Sequence, residues 1–297
     1  MILVVGATGM VGSEICRLLA SKGMPFRAMV RKTSEPAKVE RLRDLGAKIV
    51  KGNLCDPNSL KAACQDATAV ICTVSAMPFC YQPGANDIQS VDLEGVTNLI
   101  DAAKAAGVKQ FIYTSFSGNL DRDFPLRNAK RAVEKNLKES GLVYTILRPS
   151  MFMEVWLSPA VGFDAANAKA TIYGTGDQPI AWITIPDVAR FAVESLTNPA
   201  ARNSVLELGG PQSLSPHQVI KLYEEGKGKP FEVTHVPPEA LQAQYDGATD
   251  PMQRSFIGLM ICYAAGDPIV MSGIQESFGF QLTTVEEHIR SVVTMAG

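Results

Sequence analysis

The sequence carries little net charge and few histidines, and both deficits exclude classes of function. Lys and Arg number 28 against 30 Asp and Glu, which gives a formal net charge of −2. A chain this close to neutrality lacks the basic surface that attracts nucleic acid or an anionic membrane, so we expect neither as a partner. The three histidines, His217, His235 and His288, all lie in the last third of the chain. This scarcity argues against a metal site built from His and Cys.

Long apolar runs, a basic leader and paired cysteines are also missing. No apolar run reaches the roughly 18 residues that cross a bilayer, so we expect no membrane span. The chain enters the apolar run Ile2–Val5 directly, which gives no sign of a secretory signal and favours a cytoplasmic location. None of the six cysteines forms a CxxC pair, so we expect free thiols rather than a disulfide framework. They are Cys16, Cys55, Cys64, Cys72, Cys80 and Cys262.

The first half of the sequence alternates short apolar runs with amphipathic stretches. The predicted strands, rich in Val, Ile and aromatic residues, are Ile2–Val5, Phe26–Val30, Lys48–Val50, Ala69–Val74, Gln110–Thr114 and Val143–Leu147. The helices predicted between them are Val11–Ser21, Ala37–Leu45, Ser59–Ala63, Asp87–Ala106 and Ala129–Ser140. Several helices end at a glycine, which tolerates the left-handed helix-stop conformation: Gly23, Gly46, Gly107 and Gly141. This βαβα pattern predicts an α/β fold with a doubly wound parallel sheet, a Rossmann fold.

The alternation breaks after Arg148-Pro149. Residues 150–181 are weakly periodic, and a helix at Pro186–Leu196 and a strand at Val205–Leu208 indicate a return to the sheet. Smaller elements follow, with a last helix predicted at Val285–Val293. A length of 297 residues, at about 150 residues per domain, suggests up to two folding units.

The most informative motif is the glycine-rich turn between the first predicted strand and the first helix, GATGMVG. Its first glycine permits a tight turn, its second lets the backbone approach a pyrophosphate, and its third lets the helix pack closely on the strand. The free N–H groups and the positive dipole end of the helix would then bind the phosphates. An ordinary helix start is the alternative. The residues predicted to bind a dinucleotide are Gly6, Thr8, Gly9, Met10, Val11 and Gly12.

The residues after the second strand predict which dinucleotide binds. An acid at this place would bind the ribose of NAD, but the strand ends Val30-Arg31-Lys32-Thr33. Arg31 and Lys32 would suit the 2′-phosphate of NADP, Arg31 by a bidentate or stacking contact; a solvated basic loop is the alternative. We therefore predict NADP(H) as the cofactor. Asn53 after the third strand and Ser75 after the fourth complete the predicted cofactor-binding set.

Together these segments resemble the NmrA-like branch of the atypical short-chain dehydrogenase/reductase superfamily, and are similar to its isoflavone-reductase-like and quinone-oxidoreductase-like members. The matching segments span most of the chain: GATGMVG, VRK, KGNLCDPNSL, QFIYTSFSG, the helix with Lys130 and Glu134, YTILRPSMFMEVW, IPDVARFAVESL and VLELGGPQSLS. The resemblance implies a Rossmann fold, NADP(H) and an oxidoreductase activity. The same branch also contains NADP-binding regulators without clear catalysis.

The resemblance places an active site around Ser115 and Lys130. Related reductases use a Ser or Thr after strand five and a Tyr-x-x-x-Lys, in which the Tyr protonates the carbonyl and the Lys binds the ribose. Ser115 and Lys130 match this pattern, but Leu126 occupies the Tyr position. Relatives without the Tyr keep the lysine as a ribose contact or acid–base group, so Lys130 is predicted to serve the cofactor or catalysis, with Ser115 beside it. The alternatives are a surface ion pair between Lys130 and Glu134, and a turn-capping role for Ser115.

Three further polar features receive structural interpretations. A literal Tyr-x-x-x-Lys at Tyr223–Lys227 lies far beyond strand five, and Gly226 is expected to end its helix, so we interpret it as coincidence. Asp187 is predicted to lie at the N-cap or in the first turn of a helix. Glu154 is expected to make a structural hydrogen bond.

Apolar side chains cluster where the predicted strands end, at the edge of the sheet where Rossmann-type sites open. Those predicted to line the substrate pocket are Met77, Phe79, Phe116, Phe152 and Trp156, with Tyr81, Phe124, Met151 and Met153 nearby. They indicate an apolar or aromatic substrate, with ordinary core packing as the alternative. A lid is expected from Met252, Phe256, Met260 and Tyr263.

These predictions combine into two competing functions. We expect an NADP-binding Rossmann domain over residues 1–149, to which the chain returns around 182–225, and a smaller substrate-binding portion at 150–181 and 226–297. The leading hypothesis is an NADPH-dependent reductase of a small apolar carbonyl, quinone or enone compound. The absence of Tyr at Leu126 keeps open a non-catalytic NADP(H)-sensing regulator that binds a protein partner, and disfavours a nucleotide-sugar epimerase or dehydratase. A homodimer also stays open.

Overall fold

The chain forms two compact units in a computed structural model that describes residues 1–77 and 81–295. The first unit consists of Met1–Ser115, Pro125–Arg148 and Val188–Leu206, and the rest of the chain forms the second. The chain leaves the first unit after Ser115 and again after Arg148, and it returns at Pro125 and at Val188. The predicted division into 1–149 with a return around 182–225, and 150–181 with 226–297, stays a prediction. The binding roles predicted for the two parts stay predictions.

The first unit is built on the large sheet, and its parallel, doubly wound arrangement confirms the predicted fold class. The strands are β1 (Ile2–Val5), β2 (Phe26–Val30), β3 (Lys48–Lys51), β4 (Ala69–Cys72), β5 (Gln110–Thr114), β6 (Val143–Pro149) and β9 (Ser204–Leu208), in the order β3-β2-β1-β4-β5-β6-β9. The first six pair in parallel. Every residue of β1, β4 and β5 is buried, as expected for strands that are covered on both faces. The order reverses between β1 and β4, where ligands bind in such sheets.

The helices of the first unit follow the predicted pattern within a few residues. They are α1 (Met10–Ser21), α2 (Pro36–Asp44), α3 (Pro57–Cys64), α4 (Val96–Ala105), α5 (Pro125–Glu139) and α7 (Ile185–Glu194), which begins in the second unit. Gly23, Gly46, Gly107 and Gly141 have the left-handed φ values predicted for helix stops, between 64° and 83°. The helix predicted at Asp87–Ala106 begins differently, as a π-helix over Ile88–Gly95 that Asp87 and Ser90 cap reciprocally.

The second unit contains a small sheet that the sequence did not predict. In it β8 (Lys169–Tyr173) lies between β7 (Phe163–Asp164), which is antiparallel, and β10 (Glu232–Val236), which is parallel. Such short strands paired with distant segments leave only a weak local alternation. The helices are α6 (Met153–Trp156), α8 (Pro216–Lys227), α9 (Pro238–Gly247), α10 (Pro251–Ala265), α11 (Ser272–Phe278) and α12 (Val285–Met295).

Helix α8 corrects one expectation. It continues through Gly226 to Lys227 and ends at Gly228, whose φ of 65° is left-handed, so the prediction that Gly226 ends this helix was wrong. A glycine within a helix weakens it without breaking it when the next residue can take the stop conformation. Tyr223 is buried in the second unit, with its ring 4.9 Å from that of Phe163, and therefore has a core position.

The described part of the chain agrees with the expectation of unpaired cysteines. Cys16, Cys64, Cys72 and Cys262 are buried free thiols and Cys55 is an exposed one, while Cys80 lies outside the described residues. Burial raises the pKa of Cys72 to about 11, so its thiol is protonated at neutral pH. None of the helices in the described residues is long and apolar enough to cross a membrane.

Candidate functional site

The glycine-rich turn is shaped so closely that two of its positions accept no side chain. Gly6 has a φ of 89°, and a Cβ there would lie 2.7 Å from Oγ1 of Thr73. A Cβ on Gly12 would lie 2.1 Å from the carbonyl oxygen of Gly6, so helix α1 packs directly on the turn. A Cβ on Gly9 would meet the same oxygen at 3.2 Å, which is tight but needs only a small shift. The turn thus depends sterically on Gly6 and Gly12, whereas a Cβ at Gly9 makes one tight contact with the turn.

Helix α1 begins at this turn without a side-chain cap. Gly9 is its N-cap residue and donates its own N–H to the carbonyl of Gly6 over 2.9 Å. The first N–H groups of the helix, at Met10, Val11 and Gly12, therefore have no capping side chain. Uncapped N–H groups and the positive end of the helix dipole form an anion site. An uncapped helix start on a turn that Gly6 and Gly12 hold close to the strand fits the pyrophosphate of a dinucleotide.

A cleft of about 320 Å³ opens beside the turn, within the first unit. Six residues predicted to bind the cofactor line it: Gly6, Thr8, Gly9, Arg31, Asn53 and Ser75. Met10, Val11, Gly12 and Lys32 are not part of its wall in the described structure, although the first three present the uncapped N–H groups described above. Asn53 uses its side-chain oxygen to accept the N–H of Cys55 at 3.2 Å, which fixes the loop after β3.

Three cleft residues near Arg31 were missed by the sequence analysis: Ser34, Lys38 and Asn86. The N–H of Arg31 donates to Oγ of Ser34 over 3.0 Å, and its Nη1 donates to Oδ1 of Asn86 over 2.6 Å. Lys38 lies in the first turn of α2, 3.3 Å from the carboxylate of Glu35. The short loop between β2 and α2 was an available signal for Lys38, because so short a loop keeps the first turn of α2 close to Arg31. Asn86 follows a different strand and has no local signal.

Lys130 lies just outside the cleft wall and is almost fully buried, with 4% of its surface exposed. Its Nζ donates to the carbonyl of Val74, a wall residue, over 2.8 Å and lies 3.2 Å from Oδ1 of Asp92. The ammonium also lies 5.2 Å from the ring centroid of Tyr113, a cation–π distance. Lys130 therefore pairs with Asp92 and the Val74 carbonyl in the interior, and the alternative of a surface ion pair with Glu134 was wrong. Its predicted service to the cofactor or to catalysis stays a prediction.

Asp92 is a buried partner that the sequence analysis missed. It lies in the π-helix and is fully buried; its Oδ2 accepts the N–H of Ala76 over 2.9 Å, while Oδ1 faces Lys130. It thus connects the π-helix, the segment after β4 and α5. A carboxylate and an ammonium buried together stabilise each other, and removing either one leaves the other as an unpaired buried charge. An acid inside the otherwise apolar stretch Val91–Leu93 was the available signal, because such a residue requires a partner.

Ser115 and Glu134 belong to a separate buried network. Arg131 Nη1 donates to Oγ of Ser115 over 3.2 Å and to Glu134 over 2.6 Å, and Arg148 also donates to Glu134. Burial alone would raise the pKa of Glu134, but hydrogen bonds from Arg148 and Ser115 and the two guanidinium charges outweigh it and lower that pKa. The hydroxyl of Ser115 is therefore engaged by two side chains. Its assignment to catalysis stays a prediction.

We expect Glu134→Gln to lower the free energy of unfolding by about 3 kcal/mol at neutral pH, because two partly buried arginines lose their shared, buried carboxylate. A carboxyl group with a lowered folded-state pKa stabilises the fold above its unfolded-state pKa, and this stabilisation is lost as pH falls through the folded-state value. The difference between wild type and variant should therefore shrink below about pH 4. Denaturant unfolding across that range measures it, with exposed Glu139→Gln on the same helix as control. Equal unfolding free energies at pH 7 would contradict the network's role.

Leu126, at the place of the usual Tyr, is buried with 5% exposure and fills a core position. Tyr113 is also buried, and its hydroxyl has no hydrogen-bond partner among the described residues. Burial raises the pKa of Tyr113 well above its ordinary value. A fully enclosed phenol with such a pKa cannot replace the missing Tyr as a proton donor to a substrate.

The predicted substrate-pocket residues divide between the units. Met77 is half-buried in the first unit, while Phe116, Phe152 and Trp156 are half-buried in the second, and Phe79 lies outside the described residues. In the second unit the ring of Phe116 stacks on Phe124 at 6.0 Å, and that of Trp156 on Tyr263 at 5.3 Å. All four residues expected to form a lid lie on helix α10.

The two remaining polar expectations fall within the second unit. Both carboxylate oxygens of Glu154 accept the N–H of Ile185, each at 3.0 Å. Asp187 lies in the first turn of α7, where it accepts hydrogen bonds from the hydroxyl of Thr184 and the N–H of Thr283. Both residues therefore make the structural hydrogen bonds expected of them.

A doubly wound sheet with a glycine-rich turn under an uncapped helix defines the class of dinucleotide-binding Rossmann proteins. Residues 1–289 match the NmrA-like family, and the chain belongs to that family. It is 30% identical over 280 residues to the NAD(P)H azoreductase of Xenophilus azovorans, covering 93% of this chain and 91% of that protein. It is 34% identical over 237 residues to the Photosystem II assembly factor Ycf39 of Cyanophora paradoxa, covering 80% of this chain and 71% of that protein.

A relative of known structure has the same fold along almost the whole length of this chain. The NADPH-dependent quinone oxidoreductase of Escherichia coli, crystallised with NADPH, superposes with a TM-score of 0.79 at 25% identity, covering 99% of this chain and all of that one. The predicted family and fold are thereby confirmed.

Proposed function

We propose that this protein is an NADPH-dependent reductase of a small apolar or aromatic carbonyl, quinone or enone compound. The observation that carries the proposal is the buried ammonium of Lys130, bound to the carbonyl of a cofactor-cleft residue, Val74. It supplies a positive charge and a proton beside the place where a dinucleotide would lie. Relatives named as an NAD(P)H azoreductase and an NADPH-dependent quinone oxidoreductase support reductase chemistry on aromatic compounds.

The chain's own residues would hold the cofactor in three places. The uncapped N–H groups of Met10, Val11 and Gly12 would bind the pyrophosphate. Arg31, assisted by Lys38, would bind the 2′-phosphate, since a guanidinium matches phosphate oxygens bidentately. Asn53 and Ser75, which also line the cleft, would contact the rest of the dinucleotide, Asn53 at the adenine. When bound, the cofactor supplies the hydride.

Lys130 would act on the reaction from beside the cleft. Its ammonium can bind ribose hydroxyls or hold a proton for the substrate oxygen, and Asp92 and the Val74 carbonyl fix its position. No Tyr stands at Leu126 to share this task. For the substrate, the stacked aromatic pairs that contain Phe116 and Trp156 support an apolar or aromatic compound, because flat aromatic faces recognise flat rings.

Turnover against a panel of quinones, azo compounds, enones and aldehydes tests the proposal, with NADPH consumption followed by absorbance. Oxidation of NADPH that depends on at least one of these compounds is the expected result. Tight NADPH binding without oxidation by any of them would contradict it.

The second candidate is an NADP(H)-sensing regulator that binds a protein partner. Leu126 at the Tyr position favours it, and so does the similarity to a protein named as an assembly factor. A regulator of this kind should bind NADPH without consuming it, and its affinity for a partner should differ between NADPH and NADP⁺.

We expect Arg31→Asp to weaken NADPH binding and relatively favour NADH, because a charge-assisted contact of about 1.5–3 kcal/mol is replaced by repulsion of the 2′-phosphate. The ratio of the NADH and NADPH dissociation constants should fall by at least about tenfold. Lys61→Asp is the matched control, since Lys61 is exposed and lies outside the cleft wall. A ratio that Arg31→Asp leaves unchanged, with both cofactors still bound, would remove Arg31 from the 2′-phosphate site.

A further inference from the structure

Arg31 is held from across the cofactor cleft by a residue that is distant in sequence. Its Nη1 donates a 2.6 Å hydrogen bond to Oδ1 of Asn86, and both residues line the cleft. Arg31 directly follows β2, Asn86 lies in the segment after β4, and β1 separates these two strands in the sheet. The contact therefore crosses the crevice at the point where the strand order reverses, which is where a dinucleotide binds.

The backbone of Asn86 is fixed on both sides. Gln82 and Asn86 exchange backbone hydrogen bonds of 2.9 and 2.8 Å, which close a tight turn around Gly84. On the other side, Asp87 caps the π-helix by accepting the N–H of Ser90 over 2.8 Å. The side-chain amide is thus presented to Arg31 by a built turn rather than by an unsupported loop.

An asparagine at this position orients Arg31 without neutralising it. The amide oxygen accepts a hydrogen bond but carries no charge, whereas a carboxylate would form an ion pair. A guanidinium has five N–H donors, and Asn86 engages only the Nη1 group. Among the described residues, the Nε–Nη2 edge of Arg31 has no hydrogen-bond partner. That edge has the geometry that grips two oxygens of a phosphate.

We propose that Asn86 determines cofactor specificity by positioning Arg31, so that its Nε–Nη2 edge meets the 2′-phosphate of NADPH. The inference rests on the proposed function, because it takes Arg31 as the 2′-phosphate ligand. NADH has no such phosphate and should not use the contact. Asn86 is therefore a positioning residue whose loss affects one cofactor and not the other.

The experiment measures the dissociation constants of NADPH and NADH by calorimetric titration and compares their ratio, NADH over NADPH. Asn86→Ala should lower this ratio about five- to tenfold, almost entirely by weakening NADPH. Asn86→Asp should lower it further, because the carboxylate keeps the hydrogen bond to Arg31 but neutralises it and repels the phosphate. Gln82→Ala is the matched control: it lies in the same turn, is exposed and is outside the cleft wall, and should leave the ratio unchanged.

A double-variant cycle separates positioning from support of the turn. In a protein that already carries Arg31→Ala, adding Asn86→Ala should change the ratio by less than about twofold, because no guanidinium remains to be positioned. Equal weakening of both cofactors by Asn86→Ala, or an undiminished effect on the Arg31→Ala background, would overturn the inference. If Arg31→Ala still lowers the ratio, the proposed cofactor site survives that failure. If Arg31→Ala leaves the ratio unchanged, the cofactor assignment and the inference fail together.

Discussion

Replacing Lys130 with alanine is expected to cut turnover about a hundredfold, the typical size of the loss when a positioned proton donor is removed. NADPH affinity should fall much less, because the contacts proposed for the pyrophosphate and the 2′-phosphate remain. Lys130→Arg should not restore turnover, since a guanidinium cannot give up a proton near neutral pH and has a different shape. The comparison needs kcat and the NADPH dissociation constant for each protein, with a substrate that the wild type reduces.

The ion pair between Lys130 and Asp92 means that the Lys130→Ala protein must also be checked for folding. Lys130→Ala leaves the fully buried carboxylate of Asp92 without its counter-charge, and an unpaired buried charge destabilises the fold. Lys130→Arg keeps a cation there and therefore separates loss of chemistry from loss of folding. Lys135→Ala, an exposed lysine on the same helix, is the matched control and should turn over normally. A folded Lys130→Ala protein with the wild-type rate would show that the proton comes from elsewhere.

Replacing Gly9 with valine should lower NADPH affinity about a hundredfold or more while the protein stays folded. A branched side chain at Gly9 would stand where the pyrophosphate must approach the start of α1. Its Cβ would meet the fold itself only at the carbonyl of Gly6, at 3.2 Å, a contact that requires a shift of a few tenths of an ångström. Calorimetric titration measures the affinity, and thermal unfolding checks the fold.

Gly247→Val is the matched control, because a Cβ at Gly247 meets nothing within 4 Å. It should leave NADPH binding intact. Gly12→Val should instead compromise folding, since its Cβ would lie 2.1 Å from a backbone oxygen. If a folded Gly9→Val protein binds NADPH as the wild type does, the phosphates do not lie on this turn.

The features that sequence predicted well are those in which neighbouring residues carry the signal. The strands from Ile2–Val5 to Val143–Pro149 are short and rich in apolar residues, and the turn from Gly6 to Gly12 has fixed spacing between a strand and a helix. The glycine stops, such as Gly23, depend on one residue's conformational freedom. Each of these features is determined by residues that are neighbours in the sequence, so a single sequence is enough to predict it.

What sequence analysis missed depends on pairs of residues that only the fold brings together. Asn86 meets Arg31 from 55 positions away. Lys130 was compared with Glu134, its neighbour on the helix, but pairs with Asp92 of the π-helix instead. Helical spacing shows which residues share a face, yet it does not show which helix or loop packs against that face. Strand β8 was missed for the same reason, because its partner β10 lies far along the chain.

The interleaved path of the first unit has a consequence for how it is synthesised. Strand β9 borders β6 in the sheet, yet it emerges from the ribosome only after residues 149–187 have been made for the second unit. The side chain of Gln110 donates a hydrogen bond to the carbonyl of Ser195, and that of Thr145 donates one to the carbonyl of Ala201, so neither bond can form before these later residues are synthesised. Until then the edge of β6 is open, and an open strand edge is a template for pairing with another chain. The nascent protein is therefore most exposed to misassembly in the interval between the synthesis of β6 and that of β9.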